Sequence, residues 1–286
     1  AEAIAARLGA EILSVDSMQV FRGMDIGTAK PDPATRERFA YHLVDVAEPT
    51  DEYNAAEFQT AGASVLDSAA AGGSDIVIAG GSGLHFRSLV DPFEFPPTDD
   101  GVRAELEATD VEVLRAELLA ADPAAAAVVD LANPRRVLRA VEILRLTGAT
   151  PTQRAQSPQA GRVRGYEPSR MFTAIGVDPG DRIGRRIEAR FDQMLDAGLL
   201  DEVTGLAPRL GRTARQAVGY RQLLDVVERG RPIGSARDEA IRATASLAKR
   251  QRTYFRRDPR IRWIPWHHET EQMLDGALES LAGDTP

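Results

Sequence analysis

The chain has 286 residues, 43% hydrophobic and 27% charged, with a net charge of −8, which is ordinary globular composition. It contains no cysteine, which excludes disulfides, thiolate catalysis and Cys-based zinc sites, and no apolar run approaches the ~20 residues that cross a bilayer. Residues 1–7 carry Glu2 and no long apolar stretch, so they do not read as a signal peptide, and a soluble, cytoplasmic protein is expected.

The first element reads as a helix with Ile4 and Leu8 on one face, stopped by Gly9. Residues 11–15 read as a buried strand ending at Asp16, and residues 53–71 as a helix closed by Gly72-Gly73. Residues 75–79 form a second apolar strand running into Gly80-Gly81-Ser82-Gly83. Helix, strand, helix, strand with glycines at strand ends is the pattern of a parallel α/β sheet, in which ligands gather at the carboxyl ends of strands. From Pro96-Pro97 the character becomes helical, with helices over 102–108, 111–121 and 134–146. Residues 149–170, rich in Pro, Gly, Gln and Arg, read as a mobile connection. A strand over 172–177, a helix over 182–197 and a mostly helical remainder follow, with a short aromatic-rich stretch over 261–264. The pattern is an α/β core, 1–96 and 171–286, interrupted by a helical module over 97–170.

Charge is unevenly spread. Residues 1–110 hold 7 Lys/Arg against 20 Asp/Glu, residues 133–170 hold 8 against 2, and residues 209–262 hold 15 against 5. Every cation except Lys30 and Lys249 is arginine, a residue suited to bidentate phosphate contacts. Two basic clusters within an acidic protein point to a polyanion such as a nucleic acid, and a plain solvated face is the alternative.

Residues 14–31, SVDSMQVFRGMDIGTAKP, are the most informative. A carboxylate at a strand end, Asp16, stands where a general base belongs, with Ser17 and Gln19 beside it to hydrogen-bond; an Asp capping the next helix is the competing reading. Arg22 and Lys30 are candidates for phosphate contacts. The histidines suggest no metal site, because His42 and His85 are isolated and His267-His268 lies outside the motifs.

These residues resemble the tRNA dimethylallyltransferases, the isopentenyl transferases that modify the adenosine beside the anticodon. Asp16-Ser17-Met18-Gln19 and residues 23–31 carry the resemblance first. It continues through His42-Leu43-Val44-Asp45, residues 53–58, Gly80-Gly81-Ser82-Gly83-Leu84, residues 133–140, Gln216-Ala217-Val218-Gly219-Tyr220-Arg221 and residues 247–256. In the glycine loop Ser82 and His85 stand where the family pattern GGTGLY has Thr and Tyr.

The resemblance implies a P-loop NTPase-like parallel sheet core with an inserted tRNA-binding module. It implies transfer of dimethylallyl from its diphosphate to N6 of adenosine-37 with Mg²⁺ assistance, by a monomer. Asp16, Ser82 and Arg190 become the catalytic candidates, Asp16 as base and Arg190 as a grip on diphosphate. Asp16, Ser17, Met18, Gln19, Ser82, Arg103, Arg135, Arg136, Arg139, Gln216, Gly219, Tyr220, Arg221, Lys249, Arg250, Arg252 and Arg256 become the tRNA-binding candidates. Tyr220, Tyr254 and Phe255 are candidates to stack bases. The family's phosphate-binding loop, G-P-T-x-[ST]-G-K-[ST], precedes the first helix, and no such motif occurs in these residues. The expectation is an N-terminally incomplete sequence whose Mg²⁺ ligand lies in that loop, and which binds tRNA but not the donor. The alternatives are transfer to a free adenine nucleotide, or RNA binding without catalysis.

Overall fold

The computed structural model describes residues 1–267 and 269–282. Helix α1 (Glu2–Leu8) ends where Gly9 turns left-handed at φ 66°, and the chain enters β1 (Glu11–Val15). Asp32 caps α2 (Pro33–Arg38), followed by the short β2 (Tyr41–His42). Asn54 and Glu57 close a reciprocal capping box at the start of α3 (Ala55–Gly72), and left-handed Gly73 ends it, so local chemistry fixes both limits of this helix. Strand β3 (Ile76–Gly80) and α4 (Gly83–Val90) complete this stretch.

The chain divides into two compact units, Ala1–Val90 with the chain from Met171, and Asp91–Arg170. The first junction falls after Val90 rather than after Pro96. Within the 91–170 unit, Arg139 donates to the carbonyls of Pro96 and Pro97 at 2.8 and 3.0 Å, which ties the diproline into the helical unit. That unit holds α5 (Asp100–Glu107), α6 (Val111–Ala121) and α7 (Pro134–Thr147) around Leu106, Leu114, Leu118, Val137 and Val141. Residues 149–170 are not a bare connection. Thr150 and Ser157 cap α8 (Pro151–Ala155) and α9 (Pro158–Arg164), each with proline at its start. The prolines that suggested a loop occupy first-turn positions, where the missing N–H costs nothing.

The first unit resumes with β4 (Ala174–Asp178), α10 (Ile183–Asp196), α11 (Leu199–Leu206), α12 (Tyr220–Arg229), α13 (Ile233–Phe255), β5 (Ile261–Pro265) and α14 (Thr270–Ala282). Its strands form two parallel sheets, ordered β2-β1-β3 and β4-β5. Ile12, Leu13, Ser14 and Val15 are all buried, as expected of a parallel strand covered on both faces. Leu13, Val15, Phe21, Met24, Phe58, Phe191, Val203 and Leu223 share one core. Val15 pairs with Gly80 across the first sheet and Asp178 with Pro265 across the second. Each register therefore sets the carboxyl ends of two strands side by side.

Candidate active site

Asp16 follows the last residue of β1, and its Oδ1 accepts from the Met18 N–H at 2.8 Å. This is a side-chain-closed turn rather than a helix cap, because residues 17–20 turn without entering a helix. The structure thus sets aside the helix-cap alternative and leaves one carboxylate oxygen without a hydrogen bond from any described residue. Gln19 is a brace: its Oε1 accepts from Ser14 Oγ at 2.7 Å, and its Nε2 donates to Thr28 O at 3.1 Å. Met18 packs against the core and Ser17 is half-buried. A cavity of about 520 Å³ lies here, lined among others by Ser14, Asp16, Gln19, Ala29, Ala79 and Gly80.

The neighbouring strand end brings Ser82 alongside. Its N–H donates to Val15 O at 3.2 Å, one residue before Asp16. Its Oγ lies 2.6 Å from His85 Nδ1, and Phe58 meets the His85 ring edge-on at a centroid distance of 4.5 Å. Burial pushes the imidazole below the usual histidine value, and the Asp16 carboxylate opposes that shift. Ser82 thus ties His85 by a hydrogen bond to the strand end that carries Asp16, although sequence reading left His85 isolated.

The end of α13 packs onto the same glycine loop. A Cβ at Gly81 would lie 2.5 Å from Gln251 Nε2, the end of a flexible side chain, and one at Gly83 would lie 2.2 Å from the Tyr254 ring, so Gly83 is the position where this approach requires glycine. Lys249 and Arg250, on the same helix, are exposed. Arg252 and Arg256 both donate to Asp178 Oδ2, at 3.0 and 2.6 Å, at the end of β4. Arg190 is exposed on α10, while Arg186 lies over the Trp266 ring at 4.0 Å. Arg182 precedes α10 in a single 3₁₀ turn.

Several sequence-derived roles are reassigned by burial. Lys30 does not face phosphate: its side chain is 1% exposed, and Nζ donates to Phe21 O, Asp25 and Asp45 at 2.5, 2.9 and 2.6 Å. Arg22, by contrast, stays exposed, in a surface ion pair with Glu48 at 3.1 Å. Tyr220 is fully buried and cannot stack a base; its hydroxyl donates to Glu202 Oε1. Glu202 also accepts from the backbone N–H groups of Asp25, Ile26 and Gly27 at 3.0, 2.8 and 3.1 Å, and so fastens the motif loop from α11. Sequence reading missed Glu202, since an acidic residue in a first helical turn carries no local sign of a distant partner. Gly219 adopts φ 94° and is buried, whereas Gln216 and Arg221 are exposed.

In the 91–170 unit, Arg135 and Arg136 are exposed at the start of α7. Arg139 and Arg103 instead converge on fully buried Glu142, at 2.7 and 3.1 Å. Of the cations singled out in this unit, two face solvent and two help to build the interior.

His42 lies 2.5 Å from Glu11, and His268 is outside the described residues. Among the described residues no three His, Asp or Glu side chains cluster as a metal site, and no helix is long and apolar enough to cross a membrane. Asp16 is engaged by Met18, and Asp178 by two arginines. Neither offers the oxygen-donor set that Mg²⁺ needs.

Residues 19–258 match the family described as IPP transferase. The tRNA dimethylallyltransferase of Streptomyces coelicolor is 40% identical over 269 residues, spanning 91% of this chain and 84% of that protein. The crystal structure of tRNA delta(2)-isopentenylpyrophosphate transferase from Staphylococcus epidermidis superposes with a TM-score of 0.70 at 28% identity, covering 99% of this chain and 94% of that one. The full-length tRNA isopentenylpyrophosphate transferase from Bacillus halodurans gives 0.69 at 32% identity, covering 99% and 90%.

Proposed function

The chain belongs to the IPP transferase family, and on that premise we propose that it is a tRNA dimethylallyltransferase, moving a dimethylallyl group from its diphosphate to N6 of adenosine-37. The observation that carries the reading is the strand-end pair: Asp16 after β1 and Ser82 after β3, brought together by the Val15–Gly80 register. An exocyclic amine is a poor nucleophile because its lone pair is delocalised into the ring. Asp16 accepts a hydrogen bond from N6–H, orients the amine and takes its proton as N6 attacks C1 of the dimethylallyl group. The C1–O bond breaks as the N–C bond forms, and diphosphate leaves with the bonding electrons. A carboxylate also selects adenine, since a keto base offers no hydrogen at that position.

The adenosine must leave its stack to reach these groups. Exposed Arg135, Arg136, Gln216, Arg221, Lys249 and Arg250 are the residues that would meet RNA phosphates. Arg190 is the exposed cation proposed for the diphosphate, whose leaving charge needs positive groups nearby. The decisive experiment joins a phosphate-binding loop ahead of Ala1 and follows labelled dimethylallyl onto an anticodon stem-loop RNA. Transfer to adenosine-37 is expected; transfer to free AMP alone would favour a nucleotide acceptor, and RNA binding without transfer a non-catalytic role.

A further inference from the structure

The Ser82–His85 contact has no part in the proton transfer, because Asp16 alone accounts for the proton. A serine hydroxyl has one hydrogen and two lone pairs, so its partner decides what it offers on its other side. If His85 Nδ1 accepts, Ser82 Oγ is left with lone pairs only and can bind a donor. If Nδ1 carries a proton and donates, the hydroxyl hydrogen is free to turn toward an anion. The Asp16 carboxylate sits at the adjacent strand end, with Ser82 N–H bound to Val15 O at 3.2 Å, and an exocyclic amine has two hydrogens.

Resting on the proposed transfer to an adenine amine, we infer that His85 is a positioning residue whose Nδ1 holds the Ser82 hydroxyl as a donor, so that Ser82 Oγ and Asp16 accept the two N6 hydrogens. The 2.6 Å contact and the Phe58 edge that fixes the ring carry the inference. Burial supports it by favouring the neutral ring, the only form whose nitrogen can accept. Ser82 therefore recognises the acceptor base, through a hydroxyl that His85 orients, and does not grip the diphosphate.

The test uses the chain itself and two stem-loop RNAs, with adenosine or purine riboside at the target position, the latter lacking only the amine. A preference for the adenosine RNA is expected. Ser82→Ala and His85→Phe should each reduce it by about three- to tenfold, the worth of one hydrogen bond, and the double variant should lose no more than either alone. His85→Asn, whose amide oxygen replaces Nδ1 as acceptor, should keep the preference, and thermal melts verify that each variant folds. ¹⁵N NMR of the wild-type protein should find His85 Nδ1 unprotonated at neutral pH. An unchanged preference in His85→Phe, additive losses, a protonated Nδ1, or RNA binding with no preference for the amine would each overturn the inference and leave the tRNA reading standing. Failure of the wild-type chain to bind either RNA would instead overturn the proposed function and this inference with it.

Discussion

Asp16 shows how much of a residue's role a single hydrogen bond can decide. Because Oδ1 holds the Met18 N–H, Asn in its place keeps the turn but sets an amide NH2, a donor, where the second carboxylate oxygen stood. In the chain carrying a phosphate-binding loop, Asp16→Asn should slow single-turnover transfer by roughly 10²–10⁴-fold, the usual contribution of a general base, with RNA affinity falling no more than about tenfold, the worth of one hydrogen bond. A wild-type rate would remove the assignment. His85 gives a prediction in pH. Its folded-state pKa lies below the usual 6.5, through burial with Asp16 opposing. As pH falls below about 6.5 the unfolded chain gains a proton that the folded chain refuses, so this contribution to stability is full above that pH and declines as acid is added. Urea titrations at several pH values should show His85→Phe losing that part of the slope. NMR titration of Asp16→Asn should find the His85 pKa lower still, since the opposing charge is gone.

At the scale of elements, the loop over 25–27 is held by a helix far away in sequence. Glu202 accepts three backbone N–H groups and the Tyr220 hydroxyl, and burial together with Glu202 raises the Tyr220 pKa well above its ordinary value. Glu202→Ala leaves these donors without their acceptor and should cost roughly 2–4 kcal/mol in urea unfolding. Gly27→Ala tests the same joint from the other side. Its Cβ would lie 2.3 Å from the Tyr220 ring, and such overpacking typically costs about 1–3 kcal/mol. A loss under about 0.5 kcal/mol in both variants, within the range of ordinary surface substitutions, would show that the loop is held by something else. Element limits themselves were legible where a glycine sets them, as at Gly9 and Gly73; the Asn54 cap, which starts the helix two residues after Tyr53, was not read. The helices at 151–155 and 158–164 were not, because first-turn proline and loop proline look alike until the capping hydroxyl is seen.

Across the whole molecule, charge is segregated along the sequence, but only some of it is available to a ligand. Arg135 and Arg136 are exposed, whereas Arg139 joins Arg103 on Glu142 inside the helical unit. The double variant Arg135→Ala/Arg136→Ala should lower the slope of log K against log salt for RNA binding by roughly 0.7 for each phosphate it no longer neutralises, with the melting temperature unchanged. Arg139→Ala should instead cost about 1–3 kcal/mol of stability, because buried Glu142 keeps Arg103 but loses one charged hydrogen bond. An unchanged slope in the double variant would mean that these two arginines only solvate the unit.

By itself the sequence determined the parallel α/β core, its helical insertion and the strand-end position of Asp16. Each of these is written locally, in hydrophobic period, capping side chains and ordered motifs. The tertiary structure decided which polar residues are tools and which are scaffold. Lys30, Tyr220 and Arg139 read as ligand chemistry and are interior fasteners. His85 read as isolated and lies in hydrogen-bond contact with Ser82. The reason is physical: the sequence gives a residue's hydrogen-bonding capacity, while its partner, and therefore what it can still offer a substrate, depends on groups that lie far away along the chain and meet only when it folds.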